Sequence, residues 1–271
     1  MIWKKNKQRQ DSISQVLKVI NREIELLPLN ALKDALKNET KTKDLAETAI
    51  AFDANVFLRL SMHSRADDIV DFLRTSYKGA LVLSSQVVQE FWNNQYNVVE
   101  TIAGKVRKKI DELEAEIDKI DGSYGDFSSR FKLMLEEFRE NYGYVIDENT
   151  ARKTNLFIEL LSEKALVPSF PRNQLLEIAT SRKWSKTPPG FKDDLDGDFY
   201  VWIDLLLGLE LLRRGGKKIS NVLFVSLERK ADWVINKIPH PILTAEVRAI
   251  TGGSFEIISI DELAKRLLDA S

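Results

Sequence analysis

Ala49-Ile50-Ala51-Phe52-Asp53-Ala54-Asn55-Val56-Phe57 is an apolar run that stops at an aspartate. A strand buried on both faces of a parallel sheet reads as such a run, and α/β proteins carry their chemistry at the carboxyl ends of those strands. Asp53 is therefore expected at the working edge of a parallel sheet. Further acids follow at Glu90, within 193–198 and within 228–232, and they suggest a metal site assembled from scattered carboxylates.

Moving outward from the run, residues 67–76 have helical spacing, with Ile69, Val70, Phe72 and Leu73 inward. Residues 80–83 read as a second strand. Ser84 or Ser85 would cap a helix bearing Val87, Val88, Phe91 and Trp92, which puts Glu90 in its first two turns. Strand, helix, strand, helix argues for a parallel sheet with right-handed crossovers. On the amino-terminal side, residues 11–47 form an amphipathic helical arm broken at Pro28, with a second helix over 30–43.

From about 97 to 164 the pattern changes. Ile102, Val106, Ile110, Leu113, Ile117 and Ile120 step by threes and fours, Gly122 and Gly125 mark a turn, and Phe131, Leu135 and Phe138 continue on a returning helix. This reads as a helical hairpin inserted into the α/β domain, with a coiled-coil seam for a homodimer or a partner protein as the competing reading. After Pro168 the chain is irregular and basic through Lys192, then acidic at Asp193, Asp194, Asp196 and Asp198. A helix is expected over 198–213, strands over 221–225 and 255–258, and a closing helix over 261–268. Two units result: a helical arm over 1–47 and an α/β domain over 48–271.

Composition narrows the chemistry. The 271 residues include no cysteine and two histidines, His63 and His240, so thiolate zinc sites and thiol nucleophiles are excluded and an imidazole centre is disfavoured. A metal would be held by carboxylate oxygen, the preference of Mg²⁺ and Mn²⁺. The net charge of −1 excludes a globally basic nucleic-acid binder, although local basic clusters survive at 4–9, 105–109, 182–192 and 213–218. The basic amino terminus lacks the features of a secretion signal, and the longest apolar region, 201–212, is broken by Asp204 and Glu210. No membrane span and a cytoplasmic setting are expected.

A lone aspartate after a strand is more often a cap or turn residue than a ligand. Asp53, Glu90, Asp198 and Glu228, all at strand ends or on first helical turns, make a ligand set the better reading. The chain at this point resembles the PIN-like nuclease families, in particular their larger branch with a helical insertion. The matching segments are Phe52-Asp53-Ala54-Asn55-Val56-Phe57, Val87-Val88-Gln89-Glu90-Phe91-Trp92, Pro188-Pro189-Gly190-Phe191-Lys192-Asp193 leading into Gly197-Asp198-Phe199-Tyr200-Val201-Trp202, and the stretch from Val222 to Trp233. They span roughly 48–260, and the combination is far more specific than any one of them.

The resemblance implies a three-layer α/β/α fold and a Mg²⁺- or Mn²⁺-dependent phosphodiesterase. Asp53, Glu90 and Asp198 match the family's metal-binding acids, Asn55 its orienting polar residue, and Ser226 the hydroxyl before its fourth acid. The departure is Ser226-Leu227-Glu228, where the family has aspartate; Glu228 is one methylene longer, and Asp193, Asp194, Asp196 and Asp232 are secondary acids. Asp232 is also read, with Trp233, as the cap of a following helix. RNA is favoured over DNA, with 5′-phosphate and 3′-hydroxyl products, and Lys192, Arg229 and Lys230 would hold the backbone. Trp184, between Arg182 and Lys186, would add stacking on unpaired bases, whereas Trp92, Trp202 and Trp233 belong to the core. The alternatives are a structure-selective DNA nuclease and a degenerate domain that binds RNA or protein without cutting. A toxin, a phage-defence factor and an RNA-processing enzyme would all present these residues. A haloacid-dehalogenase phosphatase is excluded because residue 55 is not aspartate, and dinucleotide- and P-loop-binding folds because their glycine-rich turns are missing.

Overall fold

The structure is a computed structural model that describes residues 2–36, 44–99, 101–117, 119, 126–142, 148–192, 195–226, 232–236 and 238–269. The arm comprises α1 (Ile2–Ile20) and α2 (Pro28–Leu36). Next come β1 (Thr48–Phe52), α3 (Val56–Ser61), α4 (Ala66–Thr75), β2 (Ala80–Val82) and α5 (Ser85–Val99). Three helices follow, α6 (Thr101–Ile117), α7 (Phe127–Tyr142) and α8 (Glu148–Lys164). The chain returns to the sheet at β3 (Ala165–Leu166) and continues through α9 (Leu176–Trp184), α10 (Gly197–Arg214) and β4 (Asn221–Val225). A small ribbon of β5 (Val234–Ile235) and β6 (Ile238–Pro239) precedes α11 (Pro241–Thr251), β7 (Ser254–Ile258) and α12 (Ile260–Leu268).

The main sheet is wholly parallel, in the order β3-β2-β1-β4-β7. β1 and β4 are buried at every position, as the apolar runs that follow Thr48 and Asn221 require. One helical layer holds α10 with α1, α11 and α5 packed on it; the other holds α8 against α3 and α4, with α12 beside α4. This is a three-layer α/β/α arrangement. The order reverses between β1 and β4, and the carboxyl edge at such a reversal is where open α/β sheets bind ligands.

Two details depart from the sequence reading. The return from the helical excursion is two helices, α7 and α8, and only α6 and α7 stand apart from the sheet layers. Phe157, Leu160 and Leu161 of α8 are buried in the main core, with the Phe157 ring edge-on to Phe52 at 5.1 Å. In addition, the basic stretch after Pro168 contains α9, whose one helical register is hard to see because apolar and charged residues alternate irregularly along it.

Candidate active site

Asp53 follows β1 directly, and its backbone N–H donates to Val225 O at 3.0 Å, extending the β1–β4 ladder by one residue. Its carboxylate is oriented from three directions. Oδ1 accepts from the Ala54 N–H at 2.7 Å, and Oδ2 accepts from Asn55 Nδ2 at 2.9 Å and from Ser226 Oγ at 2.8 Å. Ser226 is the first residue beyond β4. The Asp53–Ser226 bond therefore bridges the two strands between which the sheet order reverses, where open α/β sheets bind ligands.

Glu90 and Asp198 approach from helix starts. Glu90 lies in the second turn of α5, where Oε1 accepts from Gln86 Nε2 at 3.0 Å, an i, i+4 contact on one helix face. Asp198 is the second residue of α10, and its Oδ2 accepts from Trp233 Nε1 at 2.8 Å. The helix starts meet closely: a Cβ placed on Gly197 would lie 2.8 Å from Glu90 Oε1. Gly190 supports the same turn from below. It has a φ of 78°, a left-handed conformation suited to glycine, and a side chain there would press on the Asp198 Cβ at 3.0 Å.

The secondary residues divide. Asp196 pairs with Lys183 Nζ at 2.8 Å and so ties the end of α9 to the start of α10. Asp193, Asp194, Glu228, Arg229 and Lys230 lie outside the described residues. Lys192 is exposed, with its ammonium 6.0 Å from the Phe191 ring centroid. Trp184 is 87% exposed and, with Thr180 and Leu176 one and two turns earlier, lines an open groove of about 720 Å³ on α9.

Three expectations are corrected. Arg182 does not face solvent: it is buried, donates to Glu246 Oε1 at 2.7 Å and to the Pro188 carbonyl, and so clamps the loop below Asp198. Asp232 caps no helix, because a turn and the β5–β6 ribbon follow it; it is buried and accepts from the Gly190 N–H at 2.8 Å. Trp92 is 65% exposed, since α5 turns Val87 and Phe91 inward and leaves the Val88–Trp92 pair outside. Trp202 and Trp233 are in the core, with Trp233 stacked on Phe224 at 5.0 Å. His63 bridges to Asp261 at 3.0 Å, and thus links the turn after α3 to α12.

Sequence reasoning passed over Asp204, read there only as a charge interrupting an apolar run. It is fully buried and accepts hydrogen bonds from Ser84, Ser85, Gln86, Phe170 and Arg172. A charge inside an apolar helix was the available signal, because burying a carboxylate requires partners.

Three carboxylates on three elements offer only hard oxygen donors, the chemistry that suits Mg²⁺ or Mn²⁺. In donor type the residues fit such an ion. Among the described residues, however, no three acidic or imidazole side chains come together as a closed metal-holding group. Asp53, Glu90 and Asp198 are each held by protein donors on at least one oxygen.

A family profile described as a PIN like domain matches residues 49–243, the greater part of the chain. No curated protein and no solved structure matches it. Among the described residues, no helix is long and apolar enough to cross a membrane.

Proposed function

The chain belongs to the PIN-like domain family, and from that premise we propose that it is a divalent-metal-dependent nuclease that hydrolyses phosphodiester bonds in RNA. The observation that carries this reading is the oriented Asp53 carboxylate at the β1–β4 reversal; Glu90, which abuts Gly197 next to Asp198 at the start of α10, supports it. Asp53, Glu90 and Asp198 would hold Mg²⁺ or Mn²⁺, with Glu228 in support. Such an ion, when bound, supplies an activated water and neutralises charge on phosphate oxygens.

The protein's own groups have separate tasks. Ser226 and Asn55 fix the direction of the Asp53 carboxylate, since both donate to the same oxygen. Gln86 does the same for Glu90, and Trp233 for Asp198. Lys192, Arg229 and Lys230 would contact the backbone, and the exposed Trp184 would stack on an unpaired base. In-line displacement of the 3′-oxygen leaves 5′-phosphate and 3′-hydroxyl ends.

A second reading, a binding domain that has lost catalysis, is favoured by one observation: no three acids form a closed group among the described residues. Labelled RNA and DNA panels incubated with Mg²⁺, Mn²⁺ or EDTA distinguish the readings. Cleavage of RNA that EDTA abolishes supports the proposal; cleavage restricted to structured DNA supports a structure-selective DNA nuclease; tight binding without cleavage supports the degenerate domain. A homodimer through α6 and α7 is proposed from Leu113, Phe127, Leu133 and Met134, which are all exposed there.

A further inference from the structure

Helix α10 buries two carboxylates completely, Asp204 and Glu210. Glu210 is satisfied within its own neighbourhood, by Arg213 and Arg214 at the end of the same helix. Among the described residues, the donors to the Asp204 carboxylate all lie off α10. Oδ2 accepts from Ser84 Oγ at 2.8 Å, Ser85 Oγ at 2.9 Å, Gln86 N at 3.2 Å and Arg172 Nη2 at 2.8 Å. Oδ1 accepts from Phe170 N at 2.8 Å and Arg172 Nη1 at 3.0 Å. The donors come from the start of α5 and from the stretch after β3, both at the carboxyl edge of the sheet.

Gln86 carries this connection onward. Its backbone N–H is held by Asp204 and by Ser84 Oγ at 3.1 Å, and its side-chain amide donates to Glu90. Glu90 in turn abuts Gly197 at the first turn of α10. Asp204 thus anchors a closed circuit that runs from α10 to the start of α5, along α5 to Glu90, and back to α10. Arg172 braces it, paired with Asp204 and lying over the Tyr200 ring at 4.6 Å.

We propose that Asp204 is a positioning residue: by fixing the first turn of α5 against α10 it sets the Glu90 carboxylate beside the Asp198 turn. The inference rests on the nuclease reading, since it assigns Asp204 a task in a site that holds a metal through Glu90. Asp204 itself is not a ligand, because six protein donors already occupy its two oxygens.

Mn²⁺ titration calorimetry beside cleavage kinetics tests it, on the wild type, Asp204→Asn, Ser84→Ala and Glu210→Gln. Outer partners of metal ligands move metal affinity by about 10- to 100-fold. Asp204→Asn is expected to weaken Mn²⁺ binding at least about 10-fold and to lower kcat more than it raises KM. Ser84→Ala removes one donor and the second hold on Gln86, so it should shift affinity the same way by less, and it decides the matter if Asp204→Asn does not fold. Glu210→Gln breaks an equally buried ionic contact away from Glu90 and should lower thermal stability with Mn²⁺ affinity unchanged. The positioning role is overturned if the wild type binds Mn²⁺ and the Asp204 and Ser84 variants bind it equally well, or if Glu210→Gln weakens it as much. If the wild type neither binds Mn²⁺ nor cleaves, the nuclease reading fails and takes the positioning role with it.

Discussion

Ser226 donates its hydroxyl to Oδ2 of Asp53 at 2.8 Å, across the two strands where the sheet order reverses. The register pairs Phe52 with Val225, so the residues immediately beyond both strands are brought side by side by the ladder itself. Each strand can vary in its loops while this pair stays in place, because the position is set by backbone hydrogen bonds and not by loop conformation.

Asp53→Asn should abolish metal-dependent cleavage and leave cooperative thermal unfolding intact, since the amide keeps one acceptor for the surrounding donors. Ser226→Ala removes a donor to Oδ2 and should cost about 10- to 100-fold in metal affinity. Steady-state rates and Mn²⁺ titration measure both; undiminished cleavage in Asp53→Asn would dispose of the metal-nuclease reading.

Two glycines of α10 should separate stability from activity. At Gly208 a Cβ would meet Val82 Cγ1 at 2.7 Å and Pro168 Cγ at 3.0 Å, inside the packed core. Overpacking there costs about 1–3 kcal/mol, against about 1 kcal/mol of helix propensity regained, so Gly208→Ala should melt lower and still cleave. At Gly197 the added Cβ meets Glu90 Oε1 at 2.8 Å, the end of a long side chain and not packed core, so the carboxylate shifts against its Gln86 contact. Gly197→Ala should melt like the wild type and lose most of its activity. Equal effects of the two substitutions on melting would show that Glu90 is more tightly confined than this contact indicates.

The centre of the sheet was legible because β1 and β4 are buried on both faces: the 49–52 and 221–225 runs point directly to them, and the residue after each run lies at the reversal. Helix α10 was legible from its length. β3 was not, since two residues of strand carry no period. The chain also hides α8's place in the core, because Phe157, Leu160 and Leu161 continue the same helical spacing as the α6–α7 excursion and only tertiary packing tells them apart. The carboxylates after strands and at helix starts could be read from position. Asp204 could not, since its role depends on which donors reach it from segments more than thirty residues away in sequence.

Acid should weaken the protein through His240. This residue caps α11, with its imidazole Nδ1 accepting from the Ile242 N–H, and burial holds its pKa below the usual histidine value, with Asp232 opposing and Arg182 assisting. The unfolded chain then binds the proton more readily, so this contribution is present above about pH 6.5 and is lost as pH falls through the lower folded value. The urea midpoint should drop between about pH 7 and pH 5, and His240→Asn, which can cap without titrating, should flatten that drop. An identical pH profile in the variant would assign the effect to other groups.

The departure from the family pattern at Ser226-Leu227-Glu228 gives the remaining test. Glu228 lies outside the described residues; a carboxylate one methylene longer than aspartate reaches the same ion only if the shell is looser. Mn²⁺ accepts imperfect oxygen geometry more readily than Mg²⁺, which demands a near-ideal octahedron. The wild type should therefore cleave faster with Mn²⁺ than with Mg²⁺, Glu228→Gln should lose most of that activity, and Glu228→Asp should retain it and narrow the difference between the two metals. Parallel rates for the three proteins under each metal make the comparison. If Glu228→Gln matches the wild type under both, Asp53, Glu90 and Asp198 act without a fourth ligand, as a three-carboxylate site suited to one ion.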